Sequence, residues 1–73
     1  MNVEFTDYAL MRMRQRDILL EEVREGLNAS PSKHRSRSDG RFEVRERVSG
    51  RSLLIVYVRM VNQRLRVINA MRE

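Results

Sequence analysis

Apolar and polar positions follow two different periods along the chain, and the change falls near its middle. Thr6 reads as the N-cap of a helix over 7–16, with Asp7 in the first turn, where the positive end of the helix dipole favours a carboxylate. Ala9, Met13 and Arg16 recur at i, i+4 and i+7, so this stripe is expected to face the core with Leu10 beside it, while Tyr8 and Arg12 form a neighbouring stripe. A second helix over 19–28 gathers Leu20, Val23 and Leu27 on one face and turns Glu21, Glu22, Arg24 and Glu25 to water; Asn28 and Pro31 stop it.

Residues 29–40 hold no apolar side chain larger than alanine or proline, so they are expected to form a basic, mobile loop. From Arg41 the period becomes two: Phe42, Val44 and Val48 alternate with Arg41, Glu43, Arg45 and Arg47, the pattern of a half-buried antiparallel strand. Residues 52–60 are almost wholly apolar and read as the central strand. Asn62-Gln63 is a turn, and 64–70 a third strand. The expected fold is α+β, a single domain over 1–73 with two N-terminal helices packed on one face of a three-stranded antiparallel sheet.

Register decides where the arginines point. A two-residue Asn62-Gln63 turn sets Arg59 against Arg66 and Tyr57 against Ile68. For the first hairpin, a two-residue Ser49-Gly50 loop would put Arg45 beside Leu54 on the expected core face, so a three-residue Ser49-Gly50-Arg51 loop is preferred. The helix-covered face then carries Leu54, Val56, Val58, Met60, Leu65 and Val67. The uncovered face gathers Glu43, Arg45, Arg47, Tyr57, Arg59 and Arg66.

Composition narrows the function classes. Seventy-three residues make one small domain, too small for an interdomain cleft. Hydrophobic residues at 41% support a thin core, and the longest apolar run, from Leu53 to Val58, is far short of the ~20 residues of a membrane span, so no membrane partner and a cytoplasmic location are expected. With no cysteine and one histidine, His34, no metal site and no cofactor are expected. The net charge of +5 is unevenly placed: residues 1–30 carry four Arg against six acidic residues, or −2, and 31–73 carry eleven basic against four acidic, or +7. Fourteen of the fifteen basic residues are arginine, which suits bidentate contact with phosphate.

Metal-free RNA cleavage needs a base for the 2′-hydroxyl, cations for the phosphorane-like transition state and an acid for the leaving oxygen. Arg59 and Arg66 are the candidate cations, and Glu43 and Tyr57 the candidate proton carriers. Arg12, Arg45, Arg47, Lys33, Arg35, Arg37 and Arg72 are candidate nucleic-acid contacts.

The stretch from Phe5 to Ile18, followed by Glu22-Val23 and Leu27, resembles a small bacterial family of unknown function whose first helix reads H-A-L-x-R-M-x-x-R-x-I. Gly40-Arg41 and Val56-Tyr57 resemble it too, and Arg66-Val67-Ile68-Asn69-Ala70 is similar to the R-I-I-S-A-R ending of BrnT-type toxins, a branch of the RelE/ParE superfamily. Tyr8 stands at the family's histidine position, Arg12 and Arg16 at its helix arginines, Arg66 and Arg72 at its terminal motif, and Leu19 where it usually has a Ser or Thr cap. The resemblance implies a toxin of a type II toxin–antitoxin-like system, with Tyr8 a further catalytic candidate. Such a toxin is a metal-independent mRNA endoribonuclease or a translation inhibitor, acts on RNA at or off the ribosome, and is neutralised by an acidic antitoxin protein. The competing readings are a non-catalytic nucleic-acid-binding or regulatory module, and an interaction domain that forms a homo-oligomer through a strand edge.

Overall fold

The structure is a computed structural model that describes residues 2–73. It is α+β, as two helices and a five-stranded mixed sheet. The elements are β1 (Val3–Phe5), α1 (Asp7–Gln15), α2 (Leu20–Leu27), β2 (His34–Ser36), β3 (Phe42–Val48), β4 (Arg51–Arg59) and β5 (Leu65–Arg72), and the strand order is β1-β5-β4-β3-β2. The expected three-stranded antiparallel sheet is therefore incorrect. β1 adds a parallel partner to β5, and β2 an antiparallel partner to β3, inside the stretch expected to be a loop. Both added strands have three residues, too few for a period of two to show.

Thr6 caps α1 as expected: its Oγ1 accepts the Ala9 N–H at 3.0 Å. Ala9 and Met13 are buried, and Arg16, at the helix end, donates to the Asn69 Oδ1 and to the Ala70 carbonyl, joining α1 to β5. In α2, Val23, Gly26 and Leu27 are buried, but Leu20 points outward at 44% exposure. A Cβ at Gly26 would lie 2.6 Å from Ile55 Cδ1, so a larger residue there would displace that side-chain tip; glycine lets α2 settle onto β4 with Ile55 in place.

Both hairpins differ from the expected register. Ser49 and Gly50 have φ of 55° and 79°, a pair of left-handed residues that closes a two-residue turn of the kind whose twist matches flanking strands. Val48 then faces Arg51, Arg45 faces Leu54 and Phe42 faces Tyr57. At the second hairpin the connection is Val61–Gln63, three residues long, closed by the Met60 N–H on the Arg64 carbonyl. Arg59 faces Leu65, not Arg66, and a bulge between Val56 and Tyr57 leaves Ile68 as the extra residue. After the bulge, Ala70 and Arg72 share a face with Val67.

The consequence is that β4 is inverted, while β3 and the first residues of β5 keep the faces expected for them. Leu53, Ile55, Tyr57 and Arg59 lie on the helix-covered side, where Val44, Val48, Leu53, Ile55, Tyr57, Val67 and Ala70 pack with Ala9, Met13, Ile18, Val23 and Leu27. Leu54, Val56 and Val58 lie on the open side. Leu54 and Val56 are nonetheless only 8% and 4% exposed, because their cross-strand neighbours, Arg45, Met71, Glu43 and Asn69, bring long side chains over them. Among the described residues, no helix is long and apolar enough to cross a membrane.

Candidate functional site

The helices do not reach the end of the sheet formed by the close of β4 and the starts of β3 and β5. There an open groove of about 470 Å³ is lined by Ala29, Pro31, His34, Ser36, Phe42, Tyr57, Arg59 and Leu65. Each strand contributes by register: Phe42 faces Tyr57, Tyr57 faces Val67, and Arg59 faces Leu65, while His34 and Ser36 come from β2 opposite Val44 and Phe42. Two features bring β2 in. The segment after α2 folds over the sheet edge, and a turn at Arg37–Gly40, with Gly40 at φ 84°, returns the chain into β3.

His34 is held at both ring nitrogens. Nε2 lies 3.2 Å from the Ala29 carbonyl, which can only accept, so Nε2 carries the proton; Nδ1 therefore accepts the Tyr57 hydroxyl at 2.7 Å in the neutral ring. Tyr57 is 2% exposed. Burial pushes its phenol above the usual range, while the Arg59 guanidinium beside it pulls the other way. Phe42 stacks on Tyr57 with ring centroids 5.6 Å apart and 19° between planes, and the Arg59 guanidinium lies 4.3 Å from the Phe42 centroid. The outer surface of this stack is a guanidinium plane, exposed to solvent.

No carboxylate lines the groove, and among the described residues none lies within ion-pair distance of Arg59. An anion entering here meets an unmatched positive charge, the Ser36 hydroxyl and an aromatic wall. A nucleotide of a single strand has complementary parts, since bases stack on aromatic rings and on guanidinium planes while phosphate takes the charge.

Of the residues singled out from the sequence, the groove brings together only Tyr57 and Arg59. The expected clamp of Arg59 with Arg66 does not form: Arg66 lies on the open face as expected, 3.5 Å from Glu4, but the three-residue connection sets Arg59 opposite Leu65 and so on the helix-covered face. Glu43 is also on the open face, 3.8 Å from Arg37. Arg45 pairs both carboxylate oxygens of Glu73, one at 2.9 Å. Lys33 holds Glu46 at 2.8 Å, and Arg35 and Arg47 are exposed. Tyr8, half exposed on α1, has the Arg12 guanidinium 6.0 Å from its ring centroid, and Arg12 also donates to Gln15. Arg72 is a joint of the fold: it donates to the Val48 carbonyl and pairs with Glu22 at the start of α2, each side chain being 12% exposed.

His34, Ser36 and Phe42 were not among the candidates. The signal for them was slight: a lone histidine two residues from a serine, before an Asp39-Gly40 turn that could have announced a hairpin. Comparison of the chain with family models, with curated proteins and with solved structures finds no match, so the groove itself carries the functional argument.

Proposed function

We propose that this protein is an RNA-binding, toxin-like inhibitor of translation that holds single-stranded RNA in the Arg59 groove. The observation that carries the reading is the Arg59 guanidinium, without an acidic partner and stacked on Phe42, above a groove that no carboxylate lines. The excess of seven positive charges in residues 31–73 supports it, since that half supplies every groove residue except Ala29. The resemblance of the terminal Arg66–Ala70 motif to BrnT-type toxins supports the toxin part, with the ribosome as a place of action, the cytoplasm as the compartment and an acidic antitoxin as the neutralising partner.

Binding is favoured over cleavage because both nitrogens of His34 are engaged within the protein. A second reading, metal-independent RNA cleavage, is favoured by one contact, the 2.7 Å bond from the Tyr57 hydroxyl to His34, which is a proton path if RNA displaces the Ala29 carbonyl.

The test is fluorescence anisotropy with a short unstructured RNA across a salt series, beside growth on induced expression. Affinity is expected to fall with salt by a log-log slope of about −0.7 per phosphate contact, and Arg59→Ala is expected to weaken binding and remove about one contact from the slope. Arg66→Ala, whose charge already faces Glu4, should change neither. RNA binding that ignores salt, or an Arg59→Ala variant that binds and arrests growth like the parent, would overturn the proposal.

A further inference from the structure

A second surface lies at the corner between the helices, away from the groove residues. Asp17, at φ 55°, turns the chain sharply from α1 to α2. Leu10, Met13, Ile18, Leu19 and Leu20 line a shallow cleft of about 350 Å³ there, rimmed by Arg14 and Glu21. Met13 and Ile18 form its buried floor, while Leu10, Leu19 and Leu20 are 38%, 60% and 44% exposed. Three exposed leucines thus adjoin one cleft with an apolar floor.

Leu19 is the telling residue. It occupies the N-cap of α2, where Ser, Thr, Asp or Asn would bond the free N–H groups of the first turn. Its own N–H donates to Glu22 at 2.9 Å, but its side chain has no acceptor to return. The position thus forgoes a cap and leaves the largest exposed aliphatic area of this corner in water. Helix stability does not account for that choice.

We propose that a second copy of this chain docks here about a two-fold axis, each Leu19 entering the other's cleft. A two-fold interface brings one patch against itself, so the patch must be complementary to itself. This one carries both a projecting leucine and a cleft. It also carries both signs of charge, and within their own chain Arg14 and Glu21 have no ion-pair partner among the described residues. Across the axis, Arg14 faces the second copy's Glu21. The patch belongs to the half of the sequence with net charge −2, so it is also where two copies of a +5 protein repel least. Its small extent makes the dimer a reversible one.

Sedimentation equilibrium over about a hundredfold range of protein concentration tests this, since a reversible dimer must follow mass action. The parent is expected to move from monomer to dimer mass. Leu19→Ser is expected to stay monomeric while its melting temperature rises at low concentration, because serine supplies the missing cap. Arg14→Glu and Glu21→Arg should each be monomeric alone, and an equimolar mixture should dimerise, since both cross-axis pairs are then restored. The proposal fails if the parent is monomeric throughout, if Leu19→Ser associates like the parent, or if the mixture of folded charge variants stays monomeric.

Discussion

The open face of the sheet and the bare end of its helix-covered face hold arginines in two different states. On the open face Arg37, Arg45, Arg64 and Arg66 each lie against a carboxylate, from Glu43, Glu73 or Glu4, while Arg35, Arg41 and Arg47 have none among the described residues and stand exposed to solvent. On the helix-covered face, at the end the helices leave bare, Arg59 rests on an aromatic ring with no acid near it. A matched guanidinium projects little field beyond its partner, and at physiological salt exposed charges are screened within ~8 Å. The number of arginines on a surface is thus a poor guide to where a phosphate would bind; what matters is which of them the fold leaves unmatched beside a concave wall.

The faces differ in energetics as well, and neighbouring residues of β4 allow a direct test. Ile55 is wholly buried between sheet and helices, and Leu54 sits on the open face between its cross-strand neighbours Arg45 and Met71. Ile55→Ala should cost about 3–4 kcal/mol, transfer and cavity terms together, and Leu54→Ala less than about 2 kcal/mol, since water and the Arg45 and Met71 side chains can refill its site. Urea denaturation of both variants measures the difference. Equal losses would mean that something covers the open face as tightly as the helices cover the other.

Next in size is the contrast between Arg72 and Arg45, both ion-paired near the ends of strands. Arg72→Ala leaves the Val48 carbonyl and the shielded Glu22 carboxylate without their donor and should cost about 2 kcal/mol, whereas Arg45→Ala breaks a solvated pair and should leave the melting temperature unchanged. The Glu22 carboxyl is held below its usual range, first by the Leu19 N–H and then by the Ser49 hydroxyl and by Arg72, against the opposing effect of burial. A depressed carboxylate stabilises fully above its unfolded value, and that contribution is lost as pH falls through the folded one. Melts across the acid range should therefore show a shallower acid limb for Glu22→Gln than for the parent. An unchanged limb would place the acid sensitivity elsewhere, at Glu73 or Glu46, which Arg45 and Lys33 likewise depress.

What could be seen in the sequence follows the same division. The helices were legible because Thr6, Asp7 and the Ala9–Met13–Arg16 spacing agree with one another, and cap, dipole and packing face all point one way. The register of β4 was not, because Leu53 to Val58 is apolar on both faces and its alternation chooses neither. The deciding feature is the two-residue Ser49-Gly50 turn, which sets Arg45 opposite Leu54 and turns the side chains of β4 to the faces opposite those expected, whereas Leu65, Arg66 and Val67 of β5 keep theirs. Tyr57 and Arg59 were chosen as site residues on the wrong face, yet they remain neighbours, since residues two apart on a strand share a side whichever side it is. His34 was hidden by its surroundings: a basic stretch without large apolar side chains reads as loop, and β2 forms only because β3 offers it an edge.

The smallest expected effect falls inside the groove and separates binding from cleavage. Tyr57→Phe removes one oxygen and keeps the ring, so the stack with Phe42 and the seat of Arg59 should survive. His34 Nδ1 then loses its donor, and the cost to stability should be about 1 kcal/mol, partly offset because a buried phenol no longer needs a partner. If the protein works by occupying RNA, affinity and growth arrest should match the parent, because neither the charge nor the stacking surface has changed. If the Tyr57–His34 pair moves a proton, RNA affinity should again be unchanged, but growth arrest and any RNA cleavage should be lost together. Measuring affinity and cleavage on the same preparation distinguishes the two, and a loss of affinity would contradict both by showing that the hydroxyl itself, and not Arg59, holds the strand.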